Sequence, residues 1–175
     1  MPIFIQFDNN GLQQAVINSP QSPGNDWVQA PAAFDWSKTY QLVEGAVIEV
    51  TAAELEAVHL KEAKEEAVAT IPNRLITVLD QTPGFSGIER ETKVALGRLA
   101  QDHPDELKPL LASTNTTLED VVAEAHKVDQ ALLTLEIVIQ TAPAQLEACI
   151  SLEALEDTKA ALVEAFSEQL QNIRR

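Results

Sequence analysis

The residues able to do chemistry in this 175-residue chain are few and widely separated. Its three histidines are His59, His103 and His126. A zinc or di-metal centre needs three or four ligands converging on one point. None of these histidines has a second one a helical turn away, and no cysteine stands near them in sequence. His59 has Glu56 and Glu62 at helix-neighbour spacing, and His126 has Glu119 and Asp129 within reach. Surface ion pairs explain both. His103 precedes Pro104 and reads as a cap or loop residue. The single cysteine, Cys149, lies between Ala148 and Ile150 at an apolar helix end, the setting of a buried thiol rather than an activated nucleophile. No Gly-x-Ser-x-Gly elbow occurs. The paired acids Glu65-Glu66 and Glu156-Asp157 sit side by side on solvated faces, whereas glycosidase carboxylates face one another across a cleft. Asp8-Asn9-Asn10-Gly11 begins like a calcium loop, but Leu12, Gln13, Gln14 and Ala15 follow where alternating oxygen ligands are required. A tight turn is expected instead. Thr82 to Gly87 holds two glycines without the Gly-Lys-Ser/Thr ending of a phosphate cradle, and reads as an interhelical loop. The expectation is a non-enzymatic protein with no catalytic residue, no cofactor and no metal.

Charge narrows the partners. Twelve Lys and Arg against 27 Asp and Glu give a formal charge of -15. Free nucleic acid and anionic membrane are repelled by such a chain, so neither is an expected partner. A lone cysteine forms no internal disulfide, the N-terminus lacks a basic region followed by a long apolar run, and no stretch is apolar for long enough to span a bilayer. A soluble, cytoplasmic protein is expected.

The aromatic residues are the more suggestive group. Trp27, Phe34, Trp36 and Tyr40 fall close together, punctuated by Pro31. They suit the core of a small β-domain, and equally a surface that grips another protein, since tryptophan and tyrosine dominate the energy of protein contacts. They are the candidate partner-binding residues.

The elements that position them follow from two different residue patterns. In residues 1–50, Ile3 to Phe7 is strand-like, Asp8 to Gly11 suits a turn, and Leu12 to Ile17 gives a return strand. Ser19 to Asn25 is a loop. Tyr40 to Val43, then Glu44-Gly45, then Ala46 to Val50 is a second hairpin. Four strands are expected in this small β-rich domain.

From residue 51 the period becomes helical. Thr51 and Glu54 form a capping box, in which each side chain satisfies a free backbone N–H of the other residue. Leu55, Val58, Leu60, Ala63, Ala67, Val68 and Ile71 follow at helical spacing, and Pro72 kinks this helix or starts the next. Ser86 and Glu89 form a second box. Pro104 suits a helix first turn and Pro109 limits that helix to a short or bent piece. Thr116 or Thr117 caps a long helix that Pro143 is expected to end. The almost all-round apolar stretch from Ala131 to Ile139 marks that helix as the most buried element. Ser151 caps the last helix, with Leu155, Leu162, Phe166, Leu170 and Ile173 on one face. The fold expected is α+β: a small N-terminal β-hairpin domain (1–50) followed by a C-terminal bundle of five or six α-helices (51–175).

The opening strand Ile3–Phe7, the Asn10-Gly11 turn, the Pro20 to Pro23 loop, Trp27, and Tyr40 leading to Glu44-Gly45-Ala46-Val47 together resemble bacteriophage tail-fibre assembly proteins. These include the ones encoded beside phage-like (pyocin-type) bacteriocin fibres. The resemblance covers roughly residues 1–65 and departs from the commonest members beyond residue 70. It implies a small acidic chaperone whose partner is a tail-fibre protein, bound near the fibre's distal end and helped to fold, trimerise or attach. An acidic inhibitor or DNA mimic, and a structural tail component, are the alternative readings.

Overall fold

The computed structural model describes residues Met1–Arg175, and the chain forms two compact units, residues 1–59 and 60–175. Five short strands precede five helices, an α+β arrangement with the helices in the C-terminal part.

In the first unit, β1 (Ile3–Phe7) and β2 (Gln13–Asn18) pair antiparallel. Asp8 closes the turn between them: its Oδ1 accepts the N–H groups of Asn10 (2.9 Å) and Leu12 (2.8 Å). Gly11 follows at φ +77°, and a Cβ there would lie 2.6 Å from the Leu42 carbonyl oxygen, so the position needs glycine on both counts. A third strand, β3 (Trp27–Gln29), pairs with the other side of β1 and gives the order β2-β1-β3. This strand adds to the four read from the sequence. It is only three residues long, and its pairing with Phe4–Gln6 is set by tertiary contact rather than local pattern.

The second hairpin joins β4 (Thr39–Val43) to β5 (Ala46–Val50). Glu44 at φ 50° and Gly45 at φ 84° form the primed two-residue turn whose twist matches the flanking strands. β4 leans on the first hairpin: the Leu42 N–H donates to Gly11 O (2.7 Å) and the Tyr40 N–H to Gln13 Oε1 (3.2 Å). Phe4, Ile5, Leu12, Tyr40 and Val50 are the buried apolar residues of this unit.

The helices are α1 (Ala52–Gln81), α2 (Gly87–Asp102), α3 (Pro104–Leu111), α4 (Leu118–Glu147) and α5 (Leu152–Arg174). Their starts follow the expected chemistry. The Glu54 carboxylate accepts the Thr51 N–H at 2.8 Å, Glu89 that of Ser86 at 3.2 Å, and Asp120 that of Thr117 at 2.8 Å. Ser151 Oγ accepts the Ala154 N–H at 3.1 Å.

Two prolines behave differently from expectation or resolve an open choice. Pro72 lies inside α1, which runs on unbroken, and α4 continues past Pro143 to Glu147 instead of ending there. A proline inside a helix costs about 3 kcal/mol through its missing N–H and its ring clash. Fully buried residues on both sides offset that cost: Ile71 and Leu75 around the first, Ala142 and Leu146 around the second.

The core of the helical unit joins Ala67, Ile71, Leu75 and Leu79 of α1 to Val128, Ala131, Ala142 and Leu146 of α4 and to Leu155, Leu162, Phe166 and Leu170 of α5. α2 packs on the first half of α4. The apolar run Ala131–Ile139, read as marking the most buried element, is buried on one side only: Leu132, Leu133 and Ile137 are 40%, 57% and 52% exposed. The buried stripe is the one facing the core, and the opposite face is left to solvent. No helix is long and apolar enough to cross a membrane.

Candidate partner-binding surface

The structure brings together three of the four aromatic candidates. Two successive turns carry the chain from Pro31 to Lys38, closed by Phe34 N–H to Pro31 O (3.1 Å) and Lys38 N–H to Asp35 O (3.2 Å). Between them Asp35 fixes the bend. Its Oδ1 accepts the Ser37 N–H (2.9 Å) and hydroxyl (2.7 Å), and those bonds hold the carboxyl below its ordinary value of 3.8. The Asp35 N–H in turn donates to the Tyr40 hydroxyl at 2.8 Å.

This geometry sets the rings in a series. Phe34 stacks on Tyr40 with centroids 4.9 Å apart, and Trp36 meets Phe34 edge-on at 5.3 Å. Tyr40 is buried at 3% exposure, Phe34 is half-buried, and Trp36 is 61% exposed. The cluster thus divides between the two roles that its residue types allow: Tyr40 is core, Phe34 is support, and Trp36 is surface. Trp27 stands apart on β3, half-buried, with no ring contact to the other three.

Other residues of the β4–β5 hairpin, without a conspicuous motif, either border the bend or lie on the hairpin's opposite face. Lys38 Nζ lies 2.7 Å from Glu49 Oε2, tying the aromatic bend to β5 and holding the lysine above its ordinary value. Val43 and Ile48 on the same hairpin are 40% and 46% exposed. Their register across the Glu44-Gly45 turn was the available signal, since diagonal cross-strand partners share a face.

The groups singled out for chemistry are dispersed. His59 and His126 are on exposed helix positions, and His103 lies between α2 and α3 with Nδ1 3.5 Å from Glu106 Oε1. No group of three or more His, Cys, Asp or Glu side chains is placed to hold a metal ion. Asp8 spends Oδ1 on turn amides. Cys149 is buried, its Sγ 3.3 Å from Thr158 Oγ1. Glu54, Glu89 and Asp120 are held below their ordinary values by capping hydrogen bonds, Glu124 by Lys93 and Lys127, and Glu156 by Lys159. Each of these shifts is downward.

Comparison of the chain with protein-family models, curated proteins and solved structures finds no match.

Proposed function

We propose that this protein is a non-enzymatic assembly chaperone that binds a phage or phage-like tail-fibre polypeptide, with Trp36 as its leading anchor. The observation that carries this reading is an indole left 61% exposed yet met edge-on by Phe34, which itself stacks on the buried Tyr40. A large ring already held in place loses little freedom on binding, so most of the free energy of its burial goes into affinity. The residues that carry the family resemblance, the Asn10-Gly11 turn, the Tyr40 strand and the Glu44-Gly45 hairpin, lie in the same unit as Trp36.

Fibre chains expose unpaired strand edges and apolar tips before they trimerise, and these aggregate if left uncovered. A chaperone covering such a surface suppresses that route, and a charge of -15 keeps the complex from self-associating. Co-expression with a candidate tail-fibre polypeptide tests the function. Soluble, trimeric fibre should rise well above its level without this chain. An unchanged yield contradicts the proposal.

A further inference from the structure

The β4–β5 hairpin has one satisfied edge and one open edge. In a hairpin with a two-residue turn, the residues flanking the turn form a hydrogen-bonded pair and the pairs alternate from there. Val43–Ala46, Gln41–Ile48 and Thr39–Val50 are therefore the bonded pairs, while Leu42–Val47 and Tyr40–Glu49 turn their backbone groups outward. On the β4 side the outward N–H groups are taken, Leu42's by Gly11 O and Tyr40's by the Gln13 side chain. On the β5 side the outward groups of Val47 and Glu49 meet no protein partner, and β5 ends its sheet.

An open edge of this kind is a template for another strand. Natural sheets usually blunt such edges with charged side chains, proline, a bulge or a short strand; β5 (Ala46-Val47-Ile48-Glu49-Val50) has no lysine, proline or bulge, and its one charge, Glu49, is paired to Lys38. Exposed apolar side chains lie on the same hairpin and on the bend beside it. Val43 and Ile48 are exposed on one face of the hairpin, and the aromatic bend carrying Trp36 is tied by Lys38 to Glu49, whose partner Tyr40 marks the other face.

We infer that β5 is a docking edge for an extended strand of the partner polypeptide, which adds antiparallel or parallel to Val47–Glu49 and lays alternate side chains beside Ile48 and Trp36. The inference rests on the polypeptide-binding reading and adds its mode. Main-chain hydrogen bonds supply affinity in such strand addition, and alternate side chains supply selectivity. Charge selects the occupant. A second copy of this chain would bring another -15 and set Glu44 and Glu49 of both chains along one edge. The occupant is therefore a foreign strand, apolar in alternation and flanked by Lys or Arg.

The probe is a ten-residue peptide of alternating valine and threonine with a lysine at each end, compared with the same peptide N-methylated on one edge. Amide-resolved hydrogen exchange of the full chain should show Val47 and Glu49 protected about tenfold or more by the first peptide, and binding about tenfold weaker for the second. No protection at about 1 mM peptide overturns the inference. So does equal binding of the methylated probe, protection along Ala15–Asn18 instead, or protection that appears without peptide as chain concentration rises. Val47→Pro removes an outward N–H that the hairpin does not use, a substitution edge strands tolerate. In co-expression it should abolish the gain in soluble fibre. If Val47→Pro keeps the gain while Trp36→Ala loses it, the edge is wrong and the chaperone function stands. If the unaltered chain gives no gain at all, the function falls and the peptide arm alone judges the edge.

Discussion

Gly97 of α2 and Ala125 of α4 are in such close approach that a Cβ on Gly97 would overlap the Ala125 Cβ. The contact sets the spacing of the two helices, and the Lys93 Nζ–Glu124 Oε2 pair at 2.8 Å fixes their register one turn away. Gly97→Ala gains about 1 kcal/mol of helix propensity but forces the helices apart, at a cost of about 1–3 kcal/mol. A net loss of stability is expected in denaturant unfolding. Adding Ala125→Gly should recover most of it, because the second change restores the space the first one fills.

Glu44 holds φ at 50° in the β4–β5 turn, a conformation that costs a residue with a Cβ about 1 kcal/mol or more. Asparagine is the side-chain-bearing residue best suited to that position of a primed turn. Glu44→Asn should therefore stabilise the first unit by about 0.5–1 kcal/mol, seen as slower amide exchange in β4 and β5. Faster exchange there would show that the Glu44 side chain contributes more than its backbone costs.

The capping boxes make stability depend on acid. Glu54, Glu89 and Asp120 have folded values below their ordinary 4.5, 4.5 and 3.8. The stability they contribute is fully present above those ordinary values and is lost as pH falls through the lower folded ones. Loss of net negative charge over the same range relieves self-repulsion and acts the other way. The difference between unaltered chain and Glu89→Gln isolates the charge-dependent part of one cap, since glutamine there can still accept the Ser86 N–H. Melting temperatures should lie furthest apart at neutral pH and converge as pH drops towards about 2. A constant gap would contradict the assignment.

Cys149 is 8% exposed, its Sγ within 3.4 Å of Gln145 O and 3.3 Å of Thr158 Oγ1. A water-soluble disulfide reagent should label it about a hundredfold more slowly in the native chain than in denaturant. Comparable rates would mean that the α4–α5 corner opens readily.

Local chemistry made most of the fold legible from sequence. Turns and caps are written in a few adjacent residues, as at Asp8–Gly11, Glu44-Gly45, Thr51/Glu54, Ser86/Glu89, Thr117 and Ser151. What failed depended on distant parts of the chain. β3 exists because β1 offers Trp27–Gln29 a free edge. Pro143 stays helical because Ala142 and Leu146 are held by α1 and α5. Leu133 and Ile137 are exposed because the neighbouring helices cover one face of α4, and apolar composition does not say which. In the aromatic cluster, residue type named the candidates. Only the Asp35 bend separates Tyr40 as core from Trp36 as surface, because the bend depends on a hydrogen bond from Asp35 to the Tyr40 hydroxyl.

If Trp36 grips a fibre polypeptide as proposed, titration calorimetry of the purified chain against a soluble candidate fibre measures that directly. Trp36→Ala should weaken binding by about 2 kcal/mol, roughly thirtyfold in Kd, with melting temperature and circular dichroism unchanged. Undiminished affinity, or loss of fold on that substitution, would contradict it.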